Sequence, residues 1–188
     1  MSELDPMHLD TAPVLALLAA YRPQDADELH ALERIVQFVS ETPAFADRLT
    51  PIAHITASAW VTDPSRQKAL LLHHKKLDIW VQPGGHVESN DTSLPAASLR
   101  ELREETGLAD ARLVSEGIFD IDIHGIPARG SLAAHDHMDI RFWFESSQTH
   151  TILSDESHEL AWMDREAIDR VTHEASIWRM VNKTLTNR

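Results

Sequence analysis

Apolar and polar residues alternate along this chain with two different periods, and the change falls near residue 50. Before it, apolar residues recur at three-and-four spacing, which places them on one face of a helix. Asp10 or Thr11 is positioned to cap a first helix, with Pro13 in its first turn, running through Leu15, Leu17 and Leu18 and stopping before Pro23. A second begins near Asp25, carries Leu29, Leu32, Ile35, Val36 and Val39 as one apolar stripe, and ends before Pro43. From His54 the period drops to two: Ile55, Ala57, Ala59 and Val61 alternate with His54, Thr56, Ser58 and Trp60. Asp63-Pro64-Ser65 reads as a turn. Ala69 to Leu72 and Ile79 to Val81 read as short strands, Pro83-Gly84-Gly85 as a loop, and Pro95 to Thr106 as a helix closed by Gly107. Strands over roughly Leu113 to Ile123, Met138 to Glu145 and Leu160 to Met163 follow, then two helices from Asp164 and Glu174.

Strands interleaved with helices in this order predict an α/β fold, an α/β/α sandwich on a mixed sheet. Residues 1–50 are expected to form an N-terminal helical extension and residues 51–188 the main domain. No Gly/Ser-rich linker follows the hairpin, so it should pack on the main domain, where it would shape a pocket or a homodimer interface.

Charge narrows the partners. The 188 residues carry a formal net charge of -13, which repels a phosphate backbone and an anionic bilayer alike. Neither nucleic acid nor membrane is therefore expected as a partner. A small phosphorylated substrate remains compatible, provided bound cations reverse the field locally. There is no cysteine, which excludes disulfides, thiolate zinc sites and cysteine nucleophiles and suits a reducing compartment. The start, Met1-Ser2-Glu3-Leu4-Asp5, is acidic where a secretory signal would be basic, and the apolar run Val14 to Ala20 is too short to span a bilayer. A cytoplasmic location is expected.

The chemistry concentrates between Gly84 and Leu108. Glu101, Glu104 and Glu105 stand at i, i+3 and i+4, on one helix face. Their mutual repulsion weakens the helix, and they sit near its C-terminal end, where the macrodipole disfavours negative charge. A bound cation removes both objections, and an all-oxygen donor set suits Mg²⁺ or Mn²⁺. Spacing alone is also compatible with a solvated acidic helix end, with Arg100 and Arg103 in surface pairs.

The segment Gly85 to Leu108 resembles the Nudix box: Gly, five residues, Glu, seven residues, Arg-Glu, an aliphatic, any residue, Glu-Glu, any residue, Gly, an aliphatic. Arg100 to Leu108 matches without a gap, and Gly84-Gly85-His86-Val87-Glu88 is typical of the family's opening. The first half departs from the pattern, with Asp91 in place of Glu and eight residues rather than seven before Arg100. In the family that acid orients the Arg by a salt bridge. Here the extra residue either compensates for the shorter side chain or the pair is lost.

The resemblance implies metal-assisted hydrolysis of a phosphoanhydride bond, with Mg²⁺ or Mn²⁺ held by Glu101, Glu104, Glu105 and the carbonyl of Gly85, and with Arg100 holding Glu101 in place. It implies Glu101 as general base, or a late-loop carboxylate, Glu156 or Glu159. Isomerisation of isopentenyl diphosphate on this fold resembles a chemistry that uses a Cys, which the chain lacks. The competing reading is a nucleotide-sensing or protein-interaction module in which the Asp91 departure marks lost catalysis. Relatives acting on diadenosine polyphosphates tend to carry a Tyr after the box, whereas the one Tyr here is Tyr21. Enzymes of the ADP-ribose type tend to carry a Pro there, and Pro127 is near but out of register. Nucleoside diphosphate-linked compounds are the preferred substrate class.

Twelve histidines are unevenly placed. Period two puts His135, His137, Asp139 and Arg141 on one strand face, and Asp120, Asp122 and His124 on one face of the strand before it. If the strands are neighbours, His124, His135, His137 and Asp139 converge as a metal site or phosphate-binding wall, and otherwise they form the wet face of a hairpin. His86, beside the expected metal site, is predicted to line the pocket. His54 is equally compatible with core hydrogen bonding and with the site, and His73-His74-Lys75-Lys76 reads more readily as a plain turn than as a phosphate contact.

Overall fold

The protein is described by a computed structural model covering residues 9–130, 133–155 and 157–186, so Glu156 and the acidic start fall outside the described residues. Two helices, α1 (Thr11–Ala20) and α2 (Ala26–Glu41), precede strands β1 (Ala53–Thr62), β2 (Ala69–His74), β3 (Ile79–Val81) and β4 (Gly84–His86). Helix α3 (Leu94–Thr106), strands β5 (Arg112–Leu113), β6 (Asp120–Ile126), β7 (His135–Glu145) and β8 (Ser157–Met163), and helices α4 (Arg165–Val171) and α5 (Ala175–Thr184) follow. The strands form one eight-stranded mixed sheet in the order β3-β2-β1-β7-β5, with β4 paired to β1, β6 to β7 and β8 to β2.

The central pair is β1 and β7, parallel and in register from Ala53↔Asp136 to Thr62↔Glu145. Every residue of β1 is buried, which is the condition of a strand covered on both faces. One face presents Ile55, Ala57, Ala59 and Val61 with Ile140, Phe142 and Phe144 to α1, α2 and α3. The other, at Trp60 and Leu71, is covered by Ile168 of α4 and by Ile177, Met180 and Val181 of α5. The expected α/β/α layering is therefore present. The N-terminal helices belong to the first of these cores, through Val14, Leu18, Ile35 and Val39. Among the described residues, no helix is long and apolar enough to cross a membrane.

Three local expectations need correction. The stretch expected as one strand over 113–123 is two: β5 and β6 both pair with β7, separated by a turn in which Gly117 N–H donates to Ser115 Oγ at 3.2 Å. Gly84 and Gly85 lie in β4 rather than in a loop. On α2 the buried face is Glu28, Ala31, Ile35, Phe38 and Val39, while Leu29 is exposed. A buried carboxylate explains that rotation. Glu28 accepts from Tyr21 Oη and Gln24 N–H, both at 2.6 Å, pairs with Arg179 at 3.2 Å, and binds Lys183. Arg179 and Lys183 also hold Asp120 at 2.8 Å, so one charge network ties α2 to α5 and to β6. Burial by itself would raise the Asp120 carboxyl, yet Arg179, Arg141 and Lys183 hold it below the usual carboxylate range.

Removing one member of this network strands buried cations. Glu28→Ala is expected to cost about 3–5 kcal/mol in urea unfolding at neutral pH, the range for breaking a buried ion pair from one side. A loss under about 1 kcal/mol would show that the network does not hold the helices down.

Candidate active site

The site is built where a strand of small residues meets an acidic helix. In β4, Gly84, Gly85 and His86 face Ser58, Ala57 and Thr56 of β1. Gly84 has φ +156°, and a Cβ there would lie 2.2 Å from Ser58 Oγ and 2.6 Å from Ser58 Cα, so only glycine fits. A Cβ on Gly85 would lie 2.8 Å from the Glu101 carboxyl. Its absence lets that carboxylate rest against the strand backbone. Gly84 N–H donates to Glu105 Oε2 at 2.8 Å, joining strand and helix a second time. Helix α3 is set for this contact at both ends. The Ser93 side chain accepts from Ala96 N–H, and Gly107, at φ +70°, returns its N–H to the Arg103 carbonyl.

Arg100 organises the acids around it. Its Nε and Nη2 reach Asp91 at 3.1 and 2.9 Å, and Nη2 also donates to the His86 carbonyl at 2.8 Å. Nη1 donates to Glu101 Oε1 and Glu104 Oε2, both at 3.0 Å. Asp91 accepts in addition from Glu88 N–H at 2.8 Å, so the carboxylate is locked before it meets the guanidinium. The Asp91–Arg100 pair is thus formed, not lost, despite the shorter side chain. These bonds, with that to Asp91 foremost, raise the proton affinity of Arg100 above the ordinary guanidinium value.

The three helix carboxylates differ in surroundings. Glu104 is exposed, Glu105 is buried beside Gly84, and Glu101 is half-buried against Gly85. Burial pushes the Glu101 carboxyl up, against the Arg100 guanidinium, and Glu104 and Glu88 add to the rise. The described residues hold one group of three or more His, Asp or Glu whose ligand atoms all lie within 4.8 Å of one another, and it is His54, His135 and His137, not the acids of α3.

The polar face of the sheet divides into two parts. In the first, Asp139 and Arg141 are almost fully buried and occupied by protein partners, so this part is not a wet hairpin face. Asp139 accepts from Thr56, Ser58 and Gln82 at 3.0, 2.7 and 3.1 Å. Arg141 binds Asp139, Asp120 and Asp122 at 2.8, 3.0 and 3.3 Å. In the second part, His54 lies opposite His137 on β1 and β7, and His124 opposite His137 on β6 and β7. The His54 ring centroid is 5.0 Å from His86, 5.0 Å from His135 and 4.7 Å from His137. His86 and His124 flank His137 at 5.2 and 5.4 Å. Burial, with the neighbouring imidazoles, pushes His54 down to about 4 and His137 down to about 2, so both rings are neutral at physiological pH.

Of the residues singled out in the sequence, Gly85, Arg100, Glu101, Glu104, Glu105 and His86 come together at β4 and α3, and His86 also borders the His135–His137 group. His124 is its exposed flank. Glu159 is exposed and stands opposite His73 on the β2–β8 ladder. Local spacing does not mark Gln82 as a partner of Asp139, and it leaves His54 between core and site. The available signal was the period-two register of the first strand, which puts His54, Thr56 and Ser58 on one face.

Residues 53–183 match the NUDIX domain, and the chain belongs to that family. The fold agrees. A Nudix-family hydrolase from Clostridium perfringens superposes with TM-score 0.52 at 24% identity, covering 69% of this chain and 94% of the other. An Ap4A hydrolase of C. elegans gives 0.54 at 18%, over 69% and 93%. The dihydroneopterin triphosphate pyrophosphohydrolase of E. coli gives 0.52 at 15%, over 69% and 92%. A search of curated proteins returns no match.

Since Asp91 is the chief anchor of Arg100, Asp91→Ala should free the guanidinium to swing off Glu101. The expected result is a stability loss of about 1–3 kcal/mol by chemical denaturation. An unchanged unfolding midpoint would show that the clamp is incidental.

Proposed function

We propose that the chain hydrolyses a phosphoanhydride bond in a nucleoside diphosphate-linked, or related organic pyrophosphate, small molecule, with Mg²⁺ or Mn²⁺ held by Glu101, Glu104, Glu105 and the carbonyl of Gly85. The observation that carries this reading is the chain of contacts from Asp91 through Arg100 to Glu101, which supports a retained catalytic arrangement despite the altered box. The residues fit such a cation. They offer only hard oxygen donors, and the missing Cβ at Gly85 leaves room for a carboxylate beside the strand backbone. When bound, the cation neutralises diphosphate oxygens and acidifies a water for attack.

The protein supplies the rest. Arg100 engages Glu101 Oε1, which leaves Oε2 to accept the proton of the attacking water. Burial raises the proton affinity of Glu101, the direction that favours a base. Attack in line forms a bond from the water oxygen to phosphorus as the bridging P–O bond breaks and the second phosphate leaves. His86 and the exposed His124 line the substrate side, and His135, His137, Asp139 and Arg141 form the wall behind them. A sensor that binds without turnover is the second reading, and the Asp91 departure on which it rested weighs less once Arg100 is clamped.

Formation of nucleoside monophosphate from a panel of nucleoside diphosphate-X compounds with Mg²⁺ or Mn²⁺ tests the proposal. The parent should turn over at least one of them, and Glu104→Gln should be slower by roughly 10²-fold or more, the scale of losing a group that stabilises transition-state charge. Equal rates for the two would remove the hydrolase reading, and binding without turnover would favour the sensor.

Glu101 allows a check that needs no substrate. Its carboxyl titrates above its unfolded value, so the folded state binds more protons in the window between the two, and stability falls as pH rises through it. At neutral pH without divalent cation, Glu101→Gln should therefore unfold at a higher temperature than the parent while losing activity. A lower unfolding temperature would contradict a desolvated base at this position.

A further inference from the structure

His54 has no role in the hydrolytic arrangement on α3, and His135 and His137 have none beyond walling the substrate side. The His54 side chain is 1% exposed, and neither of its ring nitrogens has a hydrogen-bond partner. Leaving one buried polar group unpaired costs about 1–3 kcal/mol, and apolar residues of similar size would fill the space without that cost. The His135 Nδ1 lies 2.9 Å from the Ala133 carbonyl, an acceptor, so Nδ1 is the donor there and Nε2 is the nitrogen left to meet a metal. A backbone carbonyl on the far nitrogen is the arrangement that orients metal-ligating imidazoles. His137, between them, has its ring within 5.3 Å of both.

We propose that His54, His135 and His137 form a transition-metal site, separate from the carboxylates of α3, that takes Zn²⁺ or an ion of similar preference in a tri-imidazole set with one position left to an exogenous oxygen ligand. One ligand atom from each residue already lies within 4.8 Å of the others. Tetrahedral binding at about 2.0–2.1 Å per Zn–N bond needs nitrogens roughly 3.3 Å apart, a closure that side-chain rotation can supply. The donor type excludes Mg²⁺ as resident ion, because nitrogen ligands favour borderline metals while Mg²⁺ prefers oxygen. Three neutral ligands leave the dication's charge uncompensated, so the fourth ligand should be anionic, a hydroxide or a phosphate oxygen. The site adjoins β4: the His86 ring is 5.0 Å from His54, and Gly85 precedes it in the strand. An ion there would stand beside the diphosphate without sharing a ligand with the catalytic cation.

The test uses the full chain, stripped with a chelator and titrated with Zn²⁺ in excess Mg²⁺, so that the carboxylate site is occupied by the harder ion. One equivalent should bind tightly to the parent, to Glu104→Gln and to His30→Ala, an exposed histidine elsewhere. His54→Gln and His137→Gln should each weaken binding by more than about tenfold. Co²⁺ provides a readout on the parent alone, in case the variants fold poorly: four-coordinate ligation without sulfur should give visible bands that Zn²⁺ displaces. No Zn²⁺ binding by the parent, equal binding by the histidine variants, or a purely six-coordinate Co²⁺ spectrum would each overturn the proposal. Because Glu104→Gln is expected to slow hydrolysis and to leave zinc binding intact, failure here leaves the hydrolase reading to stand or fall on its own assay.

Discussion

The contact on which the proposed active site depends is that between Asp91 and Arg100. Three carboxylates at the C-terminal end of one helix repel one another and the helix dipole, and without organisation their side chains would spread into solvent. Arg100 prevents this by touching Asp91, Glu101, Glu104 and the His86 carbonyl at once. One guanidinium thereby sets the position of the glycine strand relative to the acids. Planar, multidentate and permanently charged, it makes a set of contacts that lysine could not reproduce.

The second constraint is steric. Gly84 sits against Ser58 where no side chain fits, and Gly85 sits where a methyl group would push Glu101 away. Both glycines are paired to β1, every residue of which is buried, so the backbone beside the acids is tied to the core. The site thus rests on a central strand and a helix rather than on loops, which is the kind of support that precise placement of reacting groups requires. The network of Glu28, Asp120, Arg179 and Lys183 does for the N-terminal helices what Arg100 does for the acids, binding separate elements through buried charge.

Much of this was legible in the sequence. The change of period near residue 50, the Ser93 and Gly107 ends of the acidic helix and the box itself depend on local spacing, which sequence records directly. What could not be read depended on contacts between distant segments. Leu29 belonged to the apolar stripe by spacing, yet Glu28 is the buried residue, because Lys183 and Arg179 meet it from the far end of the chain. Asp91 looked like a weakened match, and only the loop path shows that its carboxylate reaches Arg100. His54 could not be assigned until the parallel pairing of β1 with β7 put it opposite His137. Asp139 and Arg141 had the alternation of an outer face, and the cross-strand partners that bury them lie on β1 and β6.

Under the proposed function, the acids of α3 and the backbone of Gly85 hold a divalent cation against a diphosphate. Anomalous diffraction from crystals grown with Mn²⁺ and a non-hydrolysable nucleoside diphosphate analogue addresses it most directly. The expected result is a manganese peak bounded by the Gly85 carbonyl and the Glu101, Glu104 and Glu105 carboxylates, with phosphate oxygens completing the coordination. A fully occupied analogue with no peak at that position, and with those side chains turned to solvent, would contradict it.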